Sequence, residues 1–526
     1  MKIKRLNPII PVAYRLLASA ALTLTFFSTT SYSVFAAPSA IRFTVNRFLV
    51  EGETPLTTSA LEAYFQPLQN KQYTLKDLQA VSRQLETTLR EQGYPFYRVV
   101  LPPQTLSAGT VTFRIVSFAL GDLTVTGNHY FSTENILRSL PGLQKSASPN
   151  MQELSAELKV ANKHPSKQVQ VTFKPSDGKD QINASVNVNE QRPYQASLIF
   201  NTVGTRQTGN IRMTGALQYS NLWDLDHVLS GSYATSPDHA DSISQYGVNY
   251  SMPIYPAKAW LNAYYAFSDA NNGVIGDYNI SGSGEMYGIH YSQYLPKIGQ
   301  YHHWFEIGLD NRFFINDVQF LNIPIGSNVR SVPISLQYKG EYPWTNAQLS
   351  YYLQWLGNTE IGDYNSAQDY QNSRGGARQD WSILRYGSTL SVNWQRWLIQ
   401  TTFIGQHSDD RLIAGEQLGI GGSYDVRGYQ ERETSADSGQ IVKLEVTTPS
   451  WQNFNLFAFY DYGHGTINQA SPGVRSDWNL SSTGAGAAWQ WRNNFQAKIA
   501  VANALNNAVT THPGDARIHA SIVLHY

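Results

Sequence analysis

The sequence predicts a membrane β protein: a 16-stranded transmembrane β-barrel preceded by two small α+β domains, each of β-α-α-β-β order. Three observations lead there. An export signal opens the chain, and no later apolar run reaches the ~20 residues of a membrane-crossing helix. From Pro193 onward the chain breaks into short segments of alternating polarity separated by turns.

Composition narrows the function classes. Acidic and basic residues balance at 39 each, against the basic excess of a nucleic-acid binder. There is no cysteine, which removes disulfides, thiolate metal sites and thiol catalysis together. An exported chain must then hold its fold in an oxidising compartment without covalent staples.

Residues 1–36 read as a signal peptide. Lys2, Lys4, Arg5 and Arg15 form a basic region, Leu16 to Phe27 is apolar, and Val34-Phe35-Ala36 resembles a small-residue cleavage site. Residues 41–118 form the first α+β domain. Its long helix is expected from Leu75 to Gln92, with Thr74 as N-cap and Asp77 closing a capping-box-like pair. Leu75, Leu78, Val81, Leu85 and Leu89 make its apolar stripe, and Gly93 stops it. Residues 119–191 repeat the pattern, with Ser148-Pro149 expected as cap and first-turn proline of a helix from Met151 to Asn162.

Residues 192–526 supply sixteen barrel segments, from one near Tyr194 to one near Ala516. The gaps alternate between short (Leu295 to Gln300, Asn493-Asn494) and long and polar (Gly357 to Gln379, 408–437, Gly463 to Ser482). Short periplasmic turns and long outer loops make that rhythm. An even strand count puts both barrel ends in the periplasm, beside the two small domains. In the last segment Ile518, Ala520, Ile522, Leu524 and Tyr526 share one face, so Tyr526 is expected at the interfacial aromatic girdle of a terminal assembly strand.

Catalytic motifs are absent: there is no H-E-x-x-H, G-x-S-x-G or G-x-x-x-x-G-K-[ST]. Asp177-Gly178-Lys179-Asp180 reads as a hairpin turn, and His302-His303 has no acidic sequence neighbour to make a metal site. The chain is expected to be no enzyme and to need no metal or cofactor.

One loop stands out. Gly421-Gly422-Ser423-Tyr424-Asp425-Val426-Arg427-Gly428-Tyr429 lies in the 408–437 gap, its glycines allowing tight turns and close approach. Two strands later, alternation puts Phe459, Asp461 and Gly463 on the inner face and Leu456, Ala458, Tyr460 and Tyr462 toward lipid. An intramembrane carboxylate needs a cationic partner or water, and Arg427 supplies one if the loop folds inward. Glu445 on the preceding strand is the competing acceptor, and Gly484 and Gly486 are expected to leave room for the loop backbone.

The V-R-G-Y loop, the F-x-D-x-G strand and the paired α+β repeats resemble the two-partner secretion transporters, the TpsB or hemolysin-activator type of the outer-membrane insertase superfamily. Gly93-Tyr94, Leu101-Pro102-Pro103-Gln104 and Gly109 are similar to that family's stretch in the first polypeptide-transport-associated (POTRA) domain. The resemblance implies an outer-membrane transporter with periplasmic POTRA domains that capture a large exoprotein by its N-terminal secretion domain and pass it outward without ATP. It implies outer-membrane lipid and, during biogenesis, the barrel-assembly machinery as further partners, with no nucleic acid. An insertase for other barrels and a passive porin are the alternatives. Some members carry an N-terminal plug helix; here Ala37 is followed almost at once by Phe43, so resting closure is expected to fall to the folded-in loop.

Overall fold

The computed structural model describes residues 41–526 apart from 106–108, 205–208, 241–242, 270–272, 276–277, 281–282, 316–318, 321–322, 325–326, 471–472 and 474. The signal peptide, and the segment where a plug would precede Phe43, lie outside these residues.

The first domain runs β1 (Phe43–Val45), β2 (Arg47–Glu51), α1 (Thr58–Phe65), β3 (Lys71–Tyr73), α2 (Leu75–Glu91), β4 (Tyr97–Val100) and β5 (Thr110–Ser117). Its sheet is ordered β2-β5-β4, parallel then antiparallel. Thr74 and Asp77 close a full capping box on α2. Leu78, Val81, Leu85 and Leu89 pack on Phe48, Val111 and Phe113. Leu75 is 56% exposed instead: it opens the helix, one turn before the packed stripe begins.

The second domain repeats the order as β6 (Ala119–Thr126), α3 (Thr133–Arg138), α4 (Met151–Ala161), β7 (Lys167–Pro175) and β8 (Gln181–Glu190), in a sheet ordered β6-β8-β7. The N-cap of α4 is Asn150, not Ser148. The Asn150 side chain accepts the backbone N–H groups of Gln152 and Glu153, which moves Pro149 outside the helix. Asn150 was the better cap because its amide oxygen reaches two orphan donors at once. Asp177 to Asp180 is a hairpin turn between β7 and β8.

Among the described residues the remaining chain closes into one antiparallel barrel of 16 strands. Val329–Ser331 and Pro333–Pro343 form a single eighth strand interrupted at Val332, since both pair with the seventh (His302–Phe314). The sixteenth strand (Ala516–His525) closes on the first (Tyr194–Asn201). Trp344, Trp394, Trp451 and Trp491 are exposed at the short turns, an aromatic belt at the membrane edge. The stretch from Gly463 to Ser482 is half strand and half connection: the thirteenth strand runs Phe454–Thr466 and the fourteenth Asp477–Trp491, with 467–476 joining them. Its polar residues misled because His464 and Asn479 pair across two strands that continue past the hydrophobic band.

Ile518, Ile522 and Leu524 are exposed to lipid while His519 is buried, as alternation requires. The Tyr526 ring is 76% exposed, and its backbone exchanges two hydrogen bonds with Ala196 at the seam (2.9 and 3.2 Å). Tyr526→Ala keeps those backbone bonds and loses the interfacial ring. It is expected to lower the yield of heat-modifiable barrel severalfold without changing the melting temperature of barrels that do assemble; wild-type yield would remove this role from Tyr526.

The second domain is fastened to the barrel. Trp223, Asp224, Leu225 and Asp226 form the turn between the second strand (Arg212–Leu222) and the third (His227–Thr235). This turn presents two carboxylates to the domain. Asp224 accepts the Ser132 hydroxyl at the N-cap of α3. Asp226 accepts Lys167 Nζ (2.6 Å), Asn135 Nδ2 (2.9 Å) and the Tyr255 hydroxyl. Lys167 is 1% exposed, so its charge is tolerable only because Asp226 is there. Burial holds its ammonium below the usual lysine pKa, an effect that Asp226 opposes. Val160 and Ala161 of α4 pack on Val228, Tyr255, Trp260 and Tyr294 of the barrel.

Candidate functional site in the barrel lumen

The 408–437 loop returns into the barrel as a hairpin, with Leu418–Ile420 paired to Thr434–Ala436. Gly421 and Gly422 both sit at φ +113°, which L side chains rarely adopt, and a Cβ on Gly422 would lie 2.1 Å from Glu431 Oε2. These two residues let the hairpin turn its tip toward the wall.

Arg427 stands at that tip. Its Nε donates to Asp461 Oδ2 (2.7 Å) and its Nη2 to Asp461 Oδ1 (2.8 Å), a bidentate fork. Its backbone N–H reaches Asp461 Oδ2 at 3.2 Å. Nη1 donates to Glu445 Oε2 at 2.6 Å, so Glu445 is a second partner rather than a competitor. The guanidinium has donors on three nitrogens, and two carboxylates on adjacent strands fit it together. Asp461 is 0% and Arg427 5% exposed. Lys498 carries the outer oxygen of Glu445 (3.1 Å).

The F-x-D-x-G strand divides the work. The Phe459 ring lies under the guanidinium, with Arg427 Cζ 3.4 Å from its centroid, a cation–π support. Asp461 accepts the fork. Gly463 leaves clearance: a Cβ there would meet Ile420 Cγ2 at 2.5 Å and Val426 Cγ2 at 2.9 Å. Val426 and Tyr429 are both fully buried. The Tyr429 hydroxyl lies 2.9 Å from the Ser481 carbonyl and 3.0 Å from that of Asn506, and accepts the Asn506 N–H (3.1 Å). Gly428, at φ +92°, gives its N–H to His519 Nε2 (3.0 Å).

Gly484 and Gly486 do not make room for the loop. Their missing side chains admit the rings of Phe459 and Phe457, whose Cζ atoms would lie 2.4 Å from a Cβ at either site. The glycines flatten the platform on which Arg427 rests.

Two further anchors escape the sequence reading. Glu416 is 0% exposed and accepts Arg312 Nη1 (2.8 Å), the Ser331 hydroxyl (2.6 Å) and Arg385 Nη2 (3.5 Å). Asp437, also 0% exposed, accepts Arg374 Nη1 (2.6 Å), Gln417 Nε2 (2.8 Å) and the N–H groups of Leu412 and Asn468. Arg374 follows α5 (Ala367–Ser373), which packs through Tyr370 on Leu412 and Ile413. The available signal was Arg312 and Arg385, cations within membrane strands that must face inward. Tyr526 lies apart from this network, at the foot of the seam.

A closed lipid-facing barrel with a loop tethered in its lumen, behind two α+β domains in series, defines an outer-membrane transporter of the POTRA-barrel class. The chain belongs to the family described as haemolysin secretion/activation protein ShlB/FhaC/HecB, whose model matches residues 180–499, and residues 43–117 match the POTRA domain, ShlB-type. It is accordingly an outer-membrane protein of the two-partner secretion transporter family, with its POTRA domains in the periplasm. Among its relatives, the outer membrane transporter CdiB of Dickeya dadantii is 22% identical over 421 residues, covering 75% of this chain and 71% of that protein. The heme/hemopexin transporter protein HuxB of Haemophilus influenzae is 19% identical over 457 residues, covering 84% and 79%. The solved structure of CdiB from Escherichia coli has the same fold, with a TM-score of 0.76 at 18% identity over 95% of this chain and 93% of that one.

Proposed function

We propose that this transporter captures one large exoprotein in the periplasm through its POTRA domains and secretes it through the barrel without ATP, the lumen loop closing the pore at rest. The observation that carries the reading is the loop itself, fastened across the lumen by three buried carboxylates at Glu416, Asp437 and Asp461. A passive porin has no reason to carry two folded periplasmic domains, the second docked on its barrel. Among the described residues the outer strands β2 and β4 of the first sheet, and β6 and β7 of the second, each have a single sheet neighbour. An unpaired edge accepts an extended peptide by β-augmentation, with main-chain bonds giving affinity and little sequence demand. Export needs a pull from outside, and folding there supplies it: burial of apolar area yields ~25 cal/mol per Å². One relative is named for a heme/hemopexin cargo and the other only as an outer membrane transporter, so the exoprotein class here is open to adhesin, cytolysin, contact-dependent toxin or haem-binding protein.

Deleting Phe43 to Val116 tests the capture step. The variant is expected to insert as a heat-modifiable barrel and to lose export of the exoprotein encoded beside it. Undiminished secretion would show that the first POTRA domain is not the capture site.

A further inference from the structure

The tip of the loop touches the strand that closes the barrel, and it does so through one histidine. His519 lies in the sixteenth strand, 7% exposed, beside the seam with the first strand. We propose that His519 is the positioning residue that pins the loop tip to this closing strand, and that it does so only as the neutral imidazole, so that protonation frees the tip.

The hydrogen-bond directions carry the argument. Gly428 N–H can only donate, so His519 Nε2 at 3.0 Å must accept and bear no proton. The neutral ring then carries its proton on Nδ1, which is buried and has no hydrogen-bond partner among the described residues. A second proton would turn Nε2 into a donor facing a donor, and nothing at Nδ1 would compensate. The charges around the ring do not favour an imidazolium. Arg517 shares its face of the strand, Arg427 precedes Gly428, and Lys443 and Lys498 line the same cavity of about 310 Å³. Of the carboxylates nearby, Glu445 is held by Arg427 and Lys498, and Glu431 by the N–H and hydroxyl of Ser423.

The inference deepens the proposed closure of the pore by this loop and rests on it for its functional meaning, so the test reads the tip directly. Tyr424, 54% exposed at the tip, is changed to cysteine in a chain that has no other, and a nitroxide is attached. The full-length protein is placed in phosphatidylcholine vesicles and its spectrum followed from about pH 8 to about pH 4.5, the range in which a histidine changes charge. The ratio of mobile to immobile label is expected to rise roughly three- to tenfold on acidification, the fold-change of one buried hydrogen bond. In His519→Gln the amide oxygen accepts the Gly428 N–H at every pH, and the ratio stays low throughout. In His519→Ala it is high already at neutral pH. The same pH curve for the native chain and His519→Gln would overturn the proposal, and His519→Gln alone decides it if the alanine variant does not assemble. Arg427→Ala in a planar bilayer separates the two readings. Unchanged conductance there sinks pore closure by the loop, while a pH-insensitive label sinks the histidine latch.

Discussion

Arg427→Ala is expected to raise resting pore conductance and to impair secretion while the barrel still inserts. The substitution removes three side-chain hydrogen bonds and leaves Asp461 as a carboxylate with 0% exposure. Breaking one side of such a buried pair costs about 3–5 kcal/mol, which shifts the closed-to-open balance of the tip about a hundredfold or more. The loop itself is not lost, because Glu416 and Asp437 hold its two arms. Arg427→Lys should fall between, since an ammonium supplies charge without the planar fork. A double-mutant cycle with Asp461→Ala should show strong coupling in conductance; additive effects would mean the two residues act independently. A simple charge exchange between them is a poor test here, because an aspartate at position 427 would face Glu445. Glu445→Gln must accompany it.

Asp226→Ala is expected to undock the second POTRA domain from a barrel that remains folded. Lys167 would keep the Asn135 amide oxygen (2.7 Å) and the Phe131 ring but no carboxylate within hydrogen-bond reach among the described residues, for a charge that is 1% exposed, again a cost of about 3–5 kcal/mol. Amide exchange in α4 and β7 should accelerate while heat-modifiability of the barrel is unchanged. Unaltered exchange would show that the apolar contact of Val160 with Trp260 and Tyr294 suffices. The same joint should loosen in acid. Burial at this interface lowers the pKa of His164 from 6.5 to about 4, and its Nδ1 already accepts the Ser166 N–H (3.2 Å). Because the docked value lies below the free one, His164 leaves docking at full strength above pH 6.5 and weakens it progressively as pH falls toward about 4. Exchange of α4 amides across that window measures the effect.

The barrel was legible from alternation because lipid and lumen impose opposite chemistries on successive residues. The Arg427–Asp461 pair followed from one rule, that a carboxylate on an inner membrane face needs a cation. Failures cluster where polarity has two meanings. Of the polar stretch from Gly463 to Ser482, residues 463–466 and 477–482 belong to two paired strands, and only 467–476 connects them. Gly484 and Gly486 were read as space for backbone, whereas alternation along one strand cannot show that rings from the next strand fill the gap. Glu416 and Asp437 escaped for a different reason. A carboxylate in a long loop has no periodic phase, so only the three-dimensional return of the chain shows which wall it meets.

The two ends of the loop's grip have a mechanical consequence. Ser331, which binds Glu416, belongs to the eighth strand, and His519, which binds the tip, belongs to the sixteenth. In a ring of sixteen these strands are half a circumference apart, so the loop spans a diameter like a tie rod. Hydrogen-bonded strands resist stretching around the ring far better than they resist bending of the ring into an ellipse. A diametric tie therefore fixes the cross-section, and releasing it for passage of a chain also removes the brace. The transporting barrel should be rounder or flatter as its occupant demands, and its bore belongs to the cargo as much as to the wall.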